Sequence, residues 1–222
     1  MSESYAPSPQ PTHRLIASRF PPIGLFDTVA TAADLEAVME LAGWTNDRLV
    51  ADRIARLPRA EWVYGRPNAS IVMASFLHVS PAGGRFNGPE LGAWYASAAL
   101  LTAAIEVAHH MRREAVARRV ADQHRQFRQY SAQLLGDYLD IRGRAEELAD
   151  VYAPDSYAAS QRLGERVRAR GGAGIVYDSI RHAGGVNAAA HRPRNIVGVI
   201  QTDHFEVHAF AASRRIELRK LS

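Results

Sequence analysis

Residues 174–210 read GIVYDSIRHAGGVNAAAHRPRNIVGVIQTDHFEVHAF, and their pattern decides the fold class. Four short segments rich in β-branched or small apolar residues follow one another at 175–178, 186–190, 196–201 and 204–210. Glycine, proline and asparagine separate them. No gap between them is long enough for a crossover helix, so consecutive strands are expected here rather than strand–helix–strand units. Downstream, residues 214–220 alternate apolar and charged side chains, as an edge strand does. Upstream, 156–170 is rich in arginine and glutamate and is stopped by Gly171-Gly172, which predicts a surface helix. Further back, 126–135 and 138–141 read as strands about a Gly136-Asp137 turn. Trp94-Tyr95-Ala96 reads as a short strand, followed by a helix capped by Ser97 and running to about Arg113. Residues 62–64 and 70–77 are also strand-like in composition.

The N-terminal third differs. Thr31 with Asp34 in the first turn, and Leu35 and Val38 on one face, predict a helix over 31–42. A second helix, capped by Thr45, is predicted over 46–57. Residues 1–12 form a proline-rich, extended and flexible tail in this reading, with one domain over 13–222 carrying the helical pair at about 31–58 as an elaboration. Strands first interrupted by helices and then consecutive give an α+β class.

Composition narrows the chemistry. The chain has 222 residues, 47% of them hydrophobic, and no cysteine. The apolar fraction excludes intrinsic disorder, and the missing cysteines exclude disulfide scaffolds, thiol nucleophiles and cysteine-ligated metal centres. Of the 27 basic residues, Lys220 is the one lysine. Lysine-based phosphate loops and Schiff bases are thereby disfavoured, and forked arginine recognition of phosphate or carboxylate becomes the alternative to plain surface charge. The first eleven residues lack the apolar core of a signal peptide, and the longest apolar run, 93–108, is too short to span a bilayer. A soluble cytoplasmic protein is expected.

Several residues stand out. Glu106 interrupts the run AALLTAAIEVA at 98–108, a helix apolar nearly all round, so its carboxylate must face a cleft or be paired with an arginine. Arg85 follows Gly83-Gly84 and precedes Asn87-Gly88, a loop in which backbone can approach a ligand and an arginine can fork onto phosphate. The alternative is a solvated turn. Ser179 ends a predicted strand, where a hydroxyl either faces a cleft or serves a turn; the flanking residues do not form a GxSxG nucleophile elbow. His204, Glu206 and His208 alternate on one strand face and could ligate a divalent metal, but Phe205, Val207 and Ala209 alternate with them, so the wet face of a half-buried strand is favoured. His109 and His110, adjacent on a helix, diverge and cannot serve one site together. Arg168 to Gly174 is glycine-rich, but a helix precedes it and a strand follows, the reverse of a dinucleotide loop. The basic stretch 112–129 has little aromatic interleaving, so direct nucleic-acid binding is not expected.

Gly83-Gly84-Arg85-Phe86-Asn87, Trp94-Tyr95-Ala96-Ser97, Ala103-Ala104-Ile105-Glu106 and Tyr177-Asp178-Ser179-Ile180-Arg181 with Gly184-Gly185-Val186-Asn187 resemble, in this order, the motifs of the RES domain family. The resemblance covers roughly 60–200, and His13-Arg14-Leu15 is similar to an early arginine motif of that family. It implies a fold like that of ADP-ribosyltransferases, with twisted mixed sheets and flanking helices. It implies a toxin of a bacterial toxin–antitoxin pair that consumes NAD, by phosphorolysis or hydrolysis of the nicotinamide–ribose bond. ADP-ribosylation of a protein target, or an inactive antitoxin-binding module, are its alternatives. The implied catalytic residues are Glu106, Arg85, Tyr95 and Ser179; Arg14, Arg85, Tyr95, Ser179, Arg181 and Asn187 would hold NAD. Glu106 would stabilise positive charge on the ribose, Arg85 would clamp phosphate with Arg14 and Arg181 as further cations, and Tyr95 would stack on nicotinamide or bond the ribose. Ser179 would position rather than attack. No metal and no cofactor is implied beyond NAD as substrate. The implied partners are phosphate and a Xre-like antitoxin covering the active site, with a homodimer or higher toxin–antitoxin assembly left open and no membrane contact.

Overall fold

The computed structural model describes residues 3–20, 24, 26–31, 33–37 and 52–221. Of the two helices expected near the N-terminus, 33–37 and 52–54 are helical, and the stretch 38–51 lies outside the described residues. The cap at Thr31 is as expected. Its backbone N–H donates to Asp34 Oδ2 at 3.0 Å and the Asp34 N–H returns to Thr31 Oγ1 at 3.1 Å, so two otherwise orphaned donors are satisfied reciprocally.

Among the described residues, nine strands form one mixed sheet in the order β1-β5-β6-β7-β3-β2-β4-β8-β9. They are β1 (Tyr5–Pro7), β2 (Thr12–Ala17), β3 (Trp94–Ser97), β4 (Asp122–Leu134), β5 (Asp137–Asp140), β6 (Gly174–Asp178), β7 (Val186–Ala190), β8 (Ile196–Phe210) and β9 (Ile216–Leu221). Among these nine strands, only β5 and β6 pair in parallel. Besides the helical stretches 33–37 and 52–54, three helices among the described residues accompany the sheet: α1 (Ala69–Leu77), α2 (Leu100–Arg118) and α3 (Ala158–Ala169). The α+β class with a mixed sheet and flanking helices therefore holds. No helix among the described residues is long and apolar enough to cross a membrane.

The helices divide between the two faces of the sheet. Met73, Phe76 and Leu77 of α1 share a core with Trp94, Tyr130, Leu134 and Ile196 on one face. Ala104, Ala108 and Met111 of α2 pack on Leu15, Phe127, Phe205 and Val207 on the other. Alternation along each strand is what lets one sheet feed both cores. On the α2 face a further core joins Val167 of α3 to Phe86, Ile175, Tyr177 and Ala189.

Five expectations need correction. Residues 70–77 are not a strand but the body of α1. A short continuous apolar run has no periodicity to separate a buried strand from a buried helix, and Ala69 to Met73, Phe76 and Leu77 are buried all round. Residues 62–64 follow a 3-10 turn (Arg59–Glu61), with Trp62 extended, but join no ladder. The Gly136-Asp137 turn does not fold back a hairpin: β4 pairs with β2 and β8, whereas β5 pairs with β1 and β6. The segments at 196–201 and 204–210 are one strand, β8, running alongside β4 through two register shifts. Finally, the N-terminal tail is not free, since Tyr5–Pro7 pairs with β5 at the edge of the sheet. Proline at an edge strand's end loses no ladder bond it would need.

Candidate active site

A cleft of about 350 Å³ opens on the α2 face, over β2, β3 and β7. The sheet fixes its floor. His13 pairs with Ser97 across β2 and β3, and Ser97 pairs with Asn187 across β3 and β7, so three polar side chains come into line from three strands. α2 supplies Glu106 and His110, one turn apart, to the wall. Opposite stands the loop carrying Gly83, Gly84 and Arg85, with Tyr157 beside it.

Glu106 is held by neutral donors. Ser179 Oγ donates to its Oε1 at 2.7 Å, and Asn187 Nδ2 donates to the same oxygen at 2.8 Å. Ser97 Oγ donates to Asn187 Oδ1 at 2.6 Å and so fixes which end of that amide faces the carboxylate. Ser179 Oγ in turn accepts the backbone N–H groups of Arg181 and His182, at 3.1 and 3.0 Å. Its proton is thereby directed at Glu106. No cation pairs with Glu106 among the described residues, and no described residue hydrogen-bonds Oε2.

Arg85 is the complementary case, a buried guanidinium with no carboxylate. Nη1 donates to the carbonyls of Val151 and Ala153, both at 3.1 Å, and the guanidinium lies 4.6 Å from the centre of the Tyr157 ring. Nε and Nη2 have no hydrogen-bond acceptor among the described residues. The loop that presents it is tightly specified. Gly84 abuts Tyr95, where a Cβ would come within 2.7 Å of the hydroxyl. Phe86 N–H donates to Tyr95 Oη at 2.8 Å, whose hydroxyl donates to Asn87 Oδ1 at 2.7 Å. α3 closes on the loop through Gly164, at which any Cβ would overlap the Phe86 carbonyl.

Burial tunes the other titratable groups. It pulls the Arg14 guanidinium down to about 10 while Nη1 donates to the Tyr95 carbonyl at 3.0 Å and the group stacks on Trp94. It raises the Tyr95 phenol, which stays protonated. Desolvation lowers the His110 imidazole; Glu106 opposes this, and the charges of Arg113, Arg181 and Arg85 add to it. His13, lowered by burial, meets Gln129 Nε2 through Nδ1 at 3.0 Å.

A family model described as the RES domain matches residues 51–209. The chain belongs to the RES domain family. The matched span holds Arg85, Tyr95, Glu106, Ser179, Arg181 and Asn187, while Arg14 lies before it. Among solved structures, this RES protein is similar to one described as the crystal structure of the M. tuberculosis MbcT–MbcA toxin–antitoxin complex. The two share 17% identity with a TM-score of 0.42, over 60% of this chain and 74% of that one. No curated protein matches it by sequence.

Against the residues expected from sequence, the RES fold brings Arg14, Arg85, Tyr95, Glu106 and Asn187 to one cleft. Ser179 is behind that wall, acting on Glu106 rather than lining the opening. Arg181 does not line it either: its Nη2 donates to the Pro154 carbonyl at 3.0 Å, and it acts on the cleft through its charge on His110. The Tyr95 hydroxyl, expected to meet a ligand, is spent on the loop. Ser97 does not cap α2, whose N-cap is Ala99; it buttresses Asn187. Arg168, expected on the surface, is largely buried against the Gly92 carbonyl, with burial lowering its guanidinium. Sequence reading passed over His13, His110, Tyr157 and Tyr177 as lining residues. Tyr177 and His13 lie inside motifs already singled out; Tyr157 carries no local signal. His204, Glu206 and His208 do not converge, because Glu206 is paired with Arg219 at 2.8 Å and His204 turns to Gln201.

Proposed function

We propose that this RES protein cleaves the nicotinamide–ribose bond of NAD, as the toxin of a toxin–antitoxin pair in the cytoplasm. The observation that carries the reading is the carboxylate of Glu106, oriented by Ser179 and Asn187 and free of any cation among the described residues, in one cleft with the carboxylate-free Arg85. Departure of the pyridine takes the bonding pair of the C1′–N bond onto nitrogen, releases neutral nicotinamide and leaves positive charge on C1′ and the ring oxygen. A carboxylate already held in place by fixed donors stabilises that charge without reorganising. An arginine partner would cancel the effect, and none of the described residues supplies one.

Arg85, with two guanidinium nitrogens unspent, would fork onto the pyrophosphate or an incoming phosphate. Arg14 would add positive potential from the cleft wall. Tyr157 and Tyr177 offer aromatic surface for the bases, whereas Tyr95 acts by holding the Arg85 loop. Ser179 has no base beside it, so it positions Glu106 and does not attack. The chain would act as one RES domain over 13–222 with no cofactor other than its substrate. A Xre-like antitoxin would close the cleft.

Incubation of the purified protein with NAD, with and without phosphate, followed by mass spectrometry tests the reading. Nicotinamide must appear with ADP-ribose or ADP-ribose 1″-phosphate as co-product. If nicotinamide is released only when cell lysate is added and label stays on a discrete protein, transfer to a protein acceptor is the activity instead. No release under any condition refutes both.

A further inference from the structure

The open face of the β4–β8–β9 edge, on the side away from α2, carries a cluster that the cleft does not use. Asp122, His124 and His208 each bring a ligand-type atom within 4.8 Å of the other two. Asp122 and His124 are alternate residues of β4, and His208 meets them from the paired strand β8. His124 of β4 stands opposite His208 of β8, and His208 stands opposite Glu217 of β9. Facing positions on paired strands lie about 4.5–5.5 Å apart, whereas alternate residues on one strand are nearly 7 Å apart. His124 and His208 therefore meet at facing positions, whereas in the His204–Glu206–His208 row Glu206 is taken by Arg219 and His204 turns to Gln201.

The two faces of the His208 ring system are differently engaged. Nδ1 meets Glu217 Oε2 at 3.1 Å, and Glu217 is itself held by Arg215. Nε2 is buried without a hydrogen-bond partner and lies 3.4 Å from Asp122 Oδ2. When Nδ1 carries the proton and donates to Glu217, Nε2 presents a lone pair to a carboxylate oxygen. Two lone pairs at that separation call for a cation between them. The carboxylate on Nδ1 also fixes the tautomer in which Nε2 is the ligand, as carboxylate–histidine pairs do behind metal ions.

We propose that Asp122, His124 and His208 Nε2 form a site for a borderline divalent cation of the Zn²⁺ type, with Glu217 as the positioning residue behind His208. Nitrogen and carboxylate ligands suit such an ion, and bonds of about 2.0–2.1 Å to tetrahedral partners put the ligand atoms roughly 3.3 Å apart. The imidazoles now stack, with ring centres 3.7 Å apart. An ion in the plane of each ring requires them to swing open, which the exposed His124 is free to do. Water would fill the fourth position. The ion would tie β4 to β8, with β9 joined through Glu217.

The test is titration of the untagged full-length protein with Zn²⁺ by calorimetry, and with Co²⁺ by absorption, which reports ligand type and geometry. One ion per chain is expected. His124→Ala and His208→Ala should each weaken binding at least about 10-fold, and Glu217→Gln by roughly 10-fold, the usual size of an outer-shell effect. His204→Ala, on the same strand but outside the cluster, should bind as the wild type does. Thermal stability of the wild type should rise with Zn²⁺, and that of His208→Ala should not. Histidine ¹⁵N shifts of the wild type on adding Zn²⁺, confined to His124 and His208, give the same answer without any variant. No saturable binding at millimolar Zn²⁺, or equal binding in the His124 and His208 variants, overturns the proposal. So does a wild-type spectrum in which His208 is an imidazolium donating to both carboxylates and unmoved by Zn²⁺.

Discussion

Two glutamates show how the same side chain is treated in different parts of the molecule. Glu61, at the junction of the turns at Arg59–Glu61 and Pro193–Asn195, is 4% exposed and faces two guanidinium groups, Arg192 and Arg194. Its charge is cancelled where it sits, and the pair joins segments 131 residues apart. Glu106, half-buried in the cleft wall, receives only a hydroxyl and an amide. Neutral donors orient a carboxylate without neutralising it. What remains is a fixed negative charge in a cleft, available to a positive charge that appears only during a reaction. The arginines divide in the same way: Arg192 is consumed by Glu61, while Arg85 is fed by carbonyls and keeps two nitrogens free.

The largest expected effect breaks this contrast at Glu106. Glu106→Gln keeps the shape and most hydrogen-bonding capacity but removes the charge, so nicotinamide release should fall by about 10³-fold, the scale of losing one electrostatic transition-state contact. The melting temperature should hardly move. Retention of full activity would remove Glu106 from the mechanism. At the other glutamate the outcomes should exchange. Glu61→Ala strands two partly exposed arginines, and urea unfolding should show a loss of roughly 1–3 kcal/mol, less than for a fully buried pair. The rate per folded molecule should not change.

A further ionisable group, the buried His191, sharpens the contrast because it is kept neutral altogether. Burial, together with the charge of Arg168, pulls it down to about 3, and its Nε2 meets the Phe86 carbonyl at 3.2 Å. The unfolded chain takes up this proton near pH 6.5 and the folded chain does not. Its contribution to stability is therefore complete above pH 6.5 and is lost as pH falls toward 3, at up to about 1.4 kcal/mol per unit. Denaturant unfolding at pH 7.5 and pH 5 should differ by about 2 kcal/mol less in His191→Gln than in the wild type. A difference of equal size in both would show that His191 titrates normally. The smallest effect is expected at Ser179→Ala. Asn187 still holds Oε1, so activity should fall by about 10-fold, in kcat rather than KM.

Much of this was legible in the chain, and what was not has a common cause. β6 and β7 follow from short β-branched or small apolar segments between turn residues, β9 from local alternation, and α3 from a glycine stop. The loop at Gly83–Asn87, Glu106 and Ser179 were marked by residue types out of keeping with their surroundings. Residues 70–77 were misread because an apolar run buried on all sides loses its period. The 136–137 turn was misread because β4 and β5 find partners elsewhere in the sheet, and pairing is not a local property. For the same reason the alignment of His13, Ser97 and Asn187, and that of His124, His208 and Glu217, cannot be seen along the sequence. Both are products of register.

The loop bearing Arg85 is gripped by three side chains: from α3, Gln161 Nε2 donates to the Gly84 carbonyl and Glu165 accepts the Gly88 N–H, and after β7 His191 meets Phe86. Such a segment does not behave as a lid. Its amides should resist hydrogen exchange as the neighbouring strands do, opening only when α3 detaches. The ordering entropy of this loop is thus met during folding, before any ligand arrives. Capture of a phosphate group should then be limited by diffusion into the cleft, with no slow closing phase in the binding trace.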